Sequence, residues 1–208
     1  MTRVKICGIK TLEAARMAVE AGAHALGFVF APSPRRIDPE LAREIILSLP
    51  PFVSKVGVFV NEQRYAVEEL GTFCKLDVLQ FHGSETPEYC RRWSYQIIKA
   101  FPVGDDWDPS VLARYEADAF LLDTKVPGRS GGSGTIFDWS KALEAKASGK
   151  PVILAGGLNP GNVAEAIRQV RPYAVDVSSG LERNGEKQLD LIQQFMHAAR
   201  RSSDEFPG

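Results

Sequence analysis

Cysteine, histidine, methionine and tryptophan are all scarce in this 208-residue chain, at three residues each. The cysteines, Cys7, Cys74 and Cys90, are odd in number and widely spaced. That argues against a disulfide framework and a zinc site, and for a reducing, cytoplasmic setting. The histidines are His24, His82 and His197, and no HxH or HxxxE pattern accompanies His82. No metal is therefore expected. An excess of one charge is also missing: 25 Lys and Arg against 26 Asp and Glu leave a net charge of -1. Neither nucleic acid nor an anionic membrane is an expected partner. Apolar runs fall far short of a membrane span. The N-terminus passes from Thr2-Arg3 straight into a strand pattern, so it reads as neither signal nor transit peptide.

What the chain does have is alternation. Eight short apolar runs read as strands: Val4–Cys7, Ala25–Phe30, Lys55–Val60, Val78–Phe81, Gln96–Ala100, Ala119–Asp123, Val152–Leu154 and Ala174–Val177. They recur roughly every 20–30 residues, the length of one βα unit. Between them Leu12, Ala15, Val19 and Ala23 hold helical spacing, as do Leu41, Ile45 and Leu49. Helix starts are marked by Thr11 before Glu13, Asp38-Pro39-Glu40, Ser84 before Pro87-Glu88, and Asn159-Pro160. Several runs are apolar on both faces, as strands covered on both sides must be. Eight alternating β and α segments predict a single-domain parallel (β/α)8 (TIM) barrel over residues 1–201. The tail from 202 to 208 is polar, ends in Pro-Gly and is expected to fray.

A barrel this small builds its site from short loops at the C-terminal strand ends. Cys7 and Asp123 each close an apolar run and meet turn residues at once. A thiol and a carboxylate so placed can serve as base and acid, provided the fold sets their strands side by side. The second run exits into Ser33-Pro34-Arg35-Arg36, a stiffened cationic loop suited to an anionic substrate. The fourth exits through Gln80-Phe81-His82-Gly83, and the sixth into a Gly/Ser-rich stretch containing Gly132. The last two end in Gly156-Gly157 and in Asp176-Val177-Ser178-Ser179-Gly180. Glycine pairs let backbone N–H groups approach a ligand, and barrels of this type commonly hold phosphate at loops 7 and 8.

Together these segments resemble the phosphoribosylanthranilate isomerase family. The similarity runs from Lys5-Ile6-Cys7-Gly8-Ile9 through Val58-Phe59-Val60-Asn61, Gln80–Gly83, Leu122-Asp123-Thr124 and Gly131-Gly132-Ser133-Gly134 to Val177-Ser178-Ser179-Gly180. The resemblance implies an aldose–ketose isomerase of tryptophan biosynthesis that uses no cofactor. Its substrate would be a small phosphorylated molecule, and it would act as a monomer or homodimer. It assigns the general base to Cys7, the general acid to Asp123 and the carboxylate-binding arginine to Arg35. Substrate contacts would fall on Gln80, His82, Gly132, Gly156, Gly157, Asp176, Ser178, Ser179 and Gly180. Free Asp and Cys titrate near about 3.9 and about 8.5, so surroundings must adapt both for these roles. Two other readings stay open. A Schiff-base synthase or aldolase would need a lysine at the mouth, Lys5 or Lys99, but gives Cys7 and Asp123 no task. A non-catalytic sugar-phosphate-binding module would keep the phosphate loops alone.

Overall fold

Strands that are apolar on both faces need a packed layer on each side, and a closed sheet ringed by helices supplies both. The computed structural model, which describes residues 1–124 and 138–204, has this arrangement. Its eight strands are β1 (Arg3–Cys7), β2 (Ala25–Val29), β3 (Ser54–Phe59), β4 (Val78–Phe81), β5 (Gln96–Val103), β6 (Ala119–Thr124), β7 (Val152–Leu154) and β8 (Ala174–Val177). Each pairs with the next in sequence, and β1 pairs in parallel with β8 to close the barrel. The strands lie where the apolar runs predict them; β5 alone continues for three residues past its expected end.

Around the barrel lie α1 (Leu12–Glu20), α2 (Pro39–Leu47), α3 (Arg64–Phe73), α4 (Ser140–Ala145), α5 (Val163–Val170) and α6 (Leu189–Asp204). Thr11 caps α1 by accepting from the Ala14 amide at 3.1 Å, and Asp38 caps α2 by accepting from Glu40 at 3.0 Å. The buried stripe of α2 is Ala42, Ile45 and Ile46, so Leu41, expected inside, is exposed. Helix α5 starts three residues beyond Pro160, because Asn159 and Asn162 first close a turn on one another and on Gly161. Helix α6 runs past the expected tail boundary to Asp204, with Ser202 buried. Residues 205–208 of that tail lie outside the described residues.

Strand alternation divides the core in two. Inward residues such as Val56, Val78, Ile98, Leu121 and Ile153 fill the barrel. Outward residues such as Ile6, Phe28, Phe81, Phe120 and Leu154 pack against the helices. Full burial of each such large side chain contributes about 1.5–3 kcal/mol. The same parity turns Cys7, Gln80, Asp123 and Asp176 inward at the C-terminal mouth. Lys99 lies between inward-facing Ile98 and Ala100 and so points outward, away from the mouth.

The segment from Ser84 was expected to begin a helix and does not. Residues 82–95 form turns, and η-type 3-10 geometry replaces an α-helix between β5 and β6 at Pro109–Arg114. The carbonyls that a helix would occupy internally are taken by Arg64, which donates to Tyr89 O, Arg91 O and Arg92 O. Glu85 organises the first turn: its carboxylate accepts from the Asn61 amide at 2.8 Å, the Gly83 amide at 2.9 Å and Lys99 Nζ at 3.1 Å. Lys99 also donates to Gly83 O at 2.7 Å and Ala100 O at 2.9 Å, and both charged side chains are buried.

Removing one member of a buried pair strands the other charge. Lys99→Met is therefore expected to cost roughly 3–5 kcal/mol in urea unfolding. A loss below about 1 kcal/mol would mean that Glu85 holds the turn unaided.

Candidate active site

The C-terminal mouth contains a cavity of about 340 Å³. Cys7, Arg35, Gln80, His82, Asp123, Gly156, Gly157, Asp176, Ser178 and Ser179 all line it. Sequence reasoning expected the strands of Cys7 and Asp123 to stand side by side. They do not: β1 neighbours β2 and β8, while β6 neighbours β5 and β7. The two groups sit on separate walls with β7 and β8 between them, which leaves room for a ligand.

On the acid wall, Asp123 is buried and its Oδ1 accepts from the Thr124 amide at 2.8 Å. Oδ2 lies 3.1 Å from His82 Nε2, and His82 Nδ1 lies 2.9 Å from Gln80 Nε2. A proton on Nε2 would be directed at Asp123, with Nδ1 then accepting from the Gln80 amide. Gln80 is 1% exposed, and its Oε1 has no hydrogen-bond partner among the described residues.

On the opposite wall, Cys7 is buried among Val29, Ala31 and Val58. Burial pushes its thiol up, as does Asp176, while Lys5 and Lys187 pull it down; the net shift is upward. Lys5, two residues earlier on the same face of β1, donates to Asp176 Oδ1 at 2.9 Å. Burial pulls the Lys5 ammonium down, but Asp176 and Cys7 outweigh that and leave it raised.

Arg35 lines the cavity, whereas the neighbouring Arg36 is exposed and does not. The Arg35 guanidinium is gripped side-on by Glu182, with Nε at 2.9 Å and Nη2 at 2.7 Å from the two carboxylate oxygens. Glu182 belongs to β9 (Glu182–Arg183), which forms a hairpin with β10 (Glu186–Lys187) directly after the β8 loop. Burial would push the Glu182 carboxyl up; Arg35 and Lys187 outweigh it and hold it at about 2. Sequence reasoning missed Glu182 and Lys187 as site residues. The available signal was Asn184-Gly185, a hairpin turn pair set just behind Ser178–Gly180.

The paired glycines have a further reason beside ligand approach. A Cβ on Gly156 would stand 2.2 Å from Thr124 Oγ1, 2.5 Å from the Thr124 amide nitrogen and 2.9 Å from Asp123 Oδ1. A Cβ on Gly180 would stand 2.0 Å from Leu158 O. The missing side chains let β7 approach β6, and loop 8 approach loop 7. Gly180 lies behind the cavity and does not line it. Gly132 lies outside the described residues. Lys99 is absent from the cavity lining, and Lys5 is engaged by Asp176. Among the described residues no His, Cys, Asp and Glu side chains gather in a group able to hold a metal ion. No described helix is long and apolar enough to cross a membrane.

The family model for N-(5'-phosphoribosyl)anthranilate (PRA) isomerase matches residues 4–198. The isomerase of that name from Moorella thermoacetica is 56% identical over 205 residues, covering 98% of this chain and 92% of the relative. The crystal structure of phosphoribosyl anthranilate isomerase from Thermotoga maritima superimposes with a TM-score of 0.90 at 46% identity, covering 97% of this chain and 100% of that one. A structure of such an isomerase in complex with reduced 1-(o-carboxyphenylamino)-1-deoxyribulose 5-phosphate superimposes with a TM-score of 0.87 at 44% identity, again over 97% and 100% of the two chains.

The geometry around Gly156 generates a direct expectation. Its φ is +81°, where a side chain is strained, and the added methyl would meet the backbone of β6. Gly156→Ala is expected to lose roughly 1–3 kcal/mol of stability in urea unfolding, beyond any effect on ligand affinity. An unchanged unfolding midpoint would mean that the β6–β7 approach tolerates a methyl group.

Proposed function

The chain belongs to the N-(5'-phosphoribosyl)anthranilate isomerase family, and we propose that Cys7 and Asp123 carry out the family's reaction across the cavity at the barrel mouth. The reaction is an Amadori rearrangement. N-(5'-phosphoribosyl)anthranilate becomes 1-(2-carboxyphenylamino)-1-deoxyribulose 5-phosphate, a step of tryptophan biosynthesis. The observation that carries the assignment is the placement of a thiol and a carboxylate on separate walls of one cavity, with Arg35 and the loop 7 and 8 turns lining it too.

Asp123 gives a proton to the ribose ring oxygen as the C1–O bond breaks. The anthranilate nitrogen supplies the electron pair and becomes an iminium. The Cys7 thiolate then removes the proton from C2, and the resulting enolamine relaxes to the ketone. One acid and one base on opposite faces of the sugar suffice. When Asp123 has released its proton, the His82 Nε2–H group at 3.1 Å stands ready to donate to the new carboxylate.

Binding anchors the two ends of the substrate so that the sugar meets both groups in place. Arg35 takes the anthranilate carboxylate. A guanidinium carries five N–H donors; with two committed to Glu182, three remain for the substrate. The phosphate takes backbone N–H groups of the turns at Gly156-Gly157 and Ser178-Ser179. Asp176, fixed by Lys5, faces the sugar. The protein works in the cytoplasm, as a monomer or a homodimer. Restored growth of a tryptophan auxotroph lacking the isomerase, together with turnover by the purified protein, is the test. Product binding without turnover would instead indicate the sugar-phosphate-binding module.

Two expectations probe the roles. Cys7→Ala and Asp123→Asn are each expected to lower kcat by about 10²–10⁴-fold with little change in binding, the signature of interactions made in the transition state. Activity retained in Asp123→Asn would remove Asp123 from the mechanism. Arg35→Ala is expected to raise KM at least about tenfold, the value of one charge-assisted bond. Arg36→Ala should stay near wild type, and the reverse ranking would move carboxylate binding to Arg36.

A further inference from the structure

The hairpin after β8 carries two buried charges, Glu182 and Lys187, and the chemistry above gives Lys187 no part. Lys187, on β10, is almost wholly buried, yet its ammonium makes only polar contacts: Glu182 Oε1 at 2.7 Å, Ser178 O at 3.0 Å and Ser178 Oγ at 3.3 Å. Ser178 Oγ in turn donates to Cys7 O at 3.0 Å. Holding a hairpin against a barrel does not require buried ions, because apolar side chains of similar volume do so at least as well.

The charges facing Cys7 point to another purpose. On β1 is Lys5, on the loop after β2 is Arg35, on β8 is Asp176, on β9 is Glu182 and on β10 is Lys187. Across the cavity stand His82 and Asp123. Lys5 is matched by Asp176, and Arg35 is matched by both oxygens of Glu182. Three cations against two carboxylates leave one positive charge over, and Arg35 and Lys187 share it around Glu182. A thiolate at Cys7 is the group that would neutralise it.

We propose that Lys187 is a positioning residue that, beside Lys5, favours Cys7 as a base by adding a buried positive charge tied through Ser178 to the Cys7 carbonyl. The role rests on the reading of Cys7 as the general base. It opposes the main obstacle to that reading, which is burial of the thiol. The dependence is mutual. Burial pulls the Lys187 ammonium down, and Glu182 and Cys7 act against that pull. The hairpin therefore belongs to the active site: Glu182 orients Arg35 for the substrate carboxylate, and Lys187 serves the base.

Alkylation by iodoacetamide, resolved by site with mass spectrometry across a range of pH, reads thiolate formation at Cys7 without reference to turnover. Cys74 and Cys90, both pushed up to about 11 by burial, are internal controls. Removing a nearby cation raises a thiol's pKa, so in Lys187→Met the Cys7 midpoint is expected to move alkaline by about one pH unit. The pH profile of kcat/KM should move with it, and Lys187→Arg should restore both. If the methionine variant does not fold, Lys187→Gln, which still donates to Ser178, is read the same way. An unmoved Cys7 midpoint in a folded, charge-free variant would overturn the proposal even if activity fell, since only a structural role would remain. A shifted alkylation midpoint with an unshifted kcat/KM profile would uphold the electrostatic role and overturn Cys7 as the base.

Discussion

The pairing of β1 with β8 is the contact on which the site depends. It joins the first strand to the last and sets Lys5 directly opposite Asp176 in register. The same closure brings Ser178 Oγ to Cys7 O, 171 residues away in sequence. A slip of one residue would face Lys5 with an outward-pointing valine and leave Asp176 as an unpaired charge inside the barrel. The register is thus held by two requirements at once, apolar burial outside and charge pairing inside. Cys7 lies two residues past Lys5, so the constraint that places the ion pair also places the thiol.

Charge pairing also sets the pH range over which the mouth keeps its shape. Glu182 is held down at about 2, well below an unfolded glutamate near about 4.3. Its stabilisation is therefore present above that unfolded value and is lost as pH falls toward 2. Lys5 is shifted the other way, so its contribution is present below about 10.4 and fades as pH rises through the folded value. Lys187 departs from this pattern, because burial pulls its ammonium down more than Glu182 and Cys7 hold it up. The thiol of Cys7 is raised by burial and depends on neighbouring cations for its anionic form.

Much of this was legible in the sequence, for reasons that can be named. Cys7 and Asp123 were readable as mouth residues from their places at strand ends, and Asp176 from the loop it opens. The family resemblance favoured Arg35, and the structure turns Arg35 to the cavity and Arg36 to solvent. What was not legible depended on contacts distant in sequence. The Arg35–Glu182 pair spans 147 residues, and no local pattern announces it. Parity, applied to Lys99, would have excluded it as a mouth lysine, because it alternates with inward-facing Ile98 and Ala100. The missing helix after β4 was hidden for a similar reason. Ser84, Pro87 and Glu88 form a sound local start signal, overridden by Arg64 from α3 and by the Glu85–Lys99 pair.

Two irregular segments brace the walls that carry Asp123 and Cys7. Behind the acid wall, the turn at residues 82–85 is fixed by Glu85, which binds the Gly83 amide and Lys99 and so sets the backbone beside His82. Behind the base wall, the β9–β10 hairpin is fixed by Glu182 and Lys187, which bind Arg35 and Ser178. Each brace is a buried carboxylate–lysine pair tied to backbone groups, and neither belongs to the regular βα pattern. An apolar brace would hold position equally well but would leave the field at the mouth unchanged. A charged brace does both, provided its ions stay paired. The departures from the ideal barrel, at β4 and after β8, thus fall behind the two walls that carry Asp123 and Cys7.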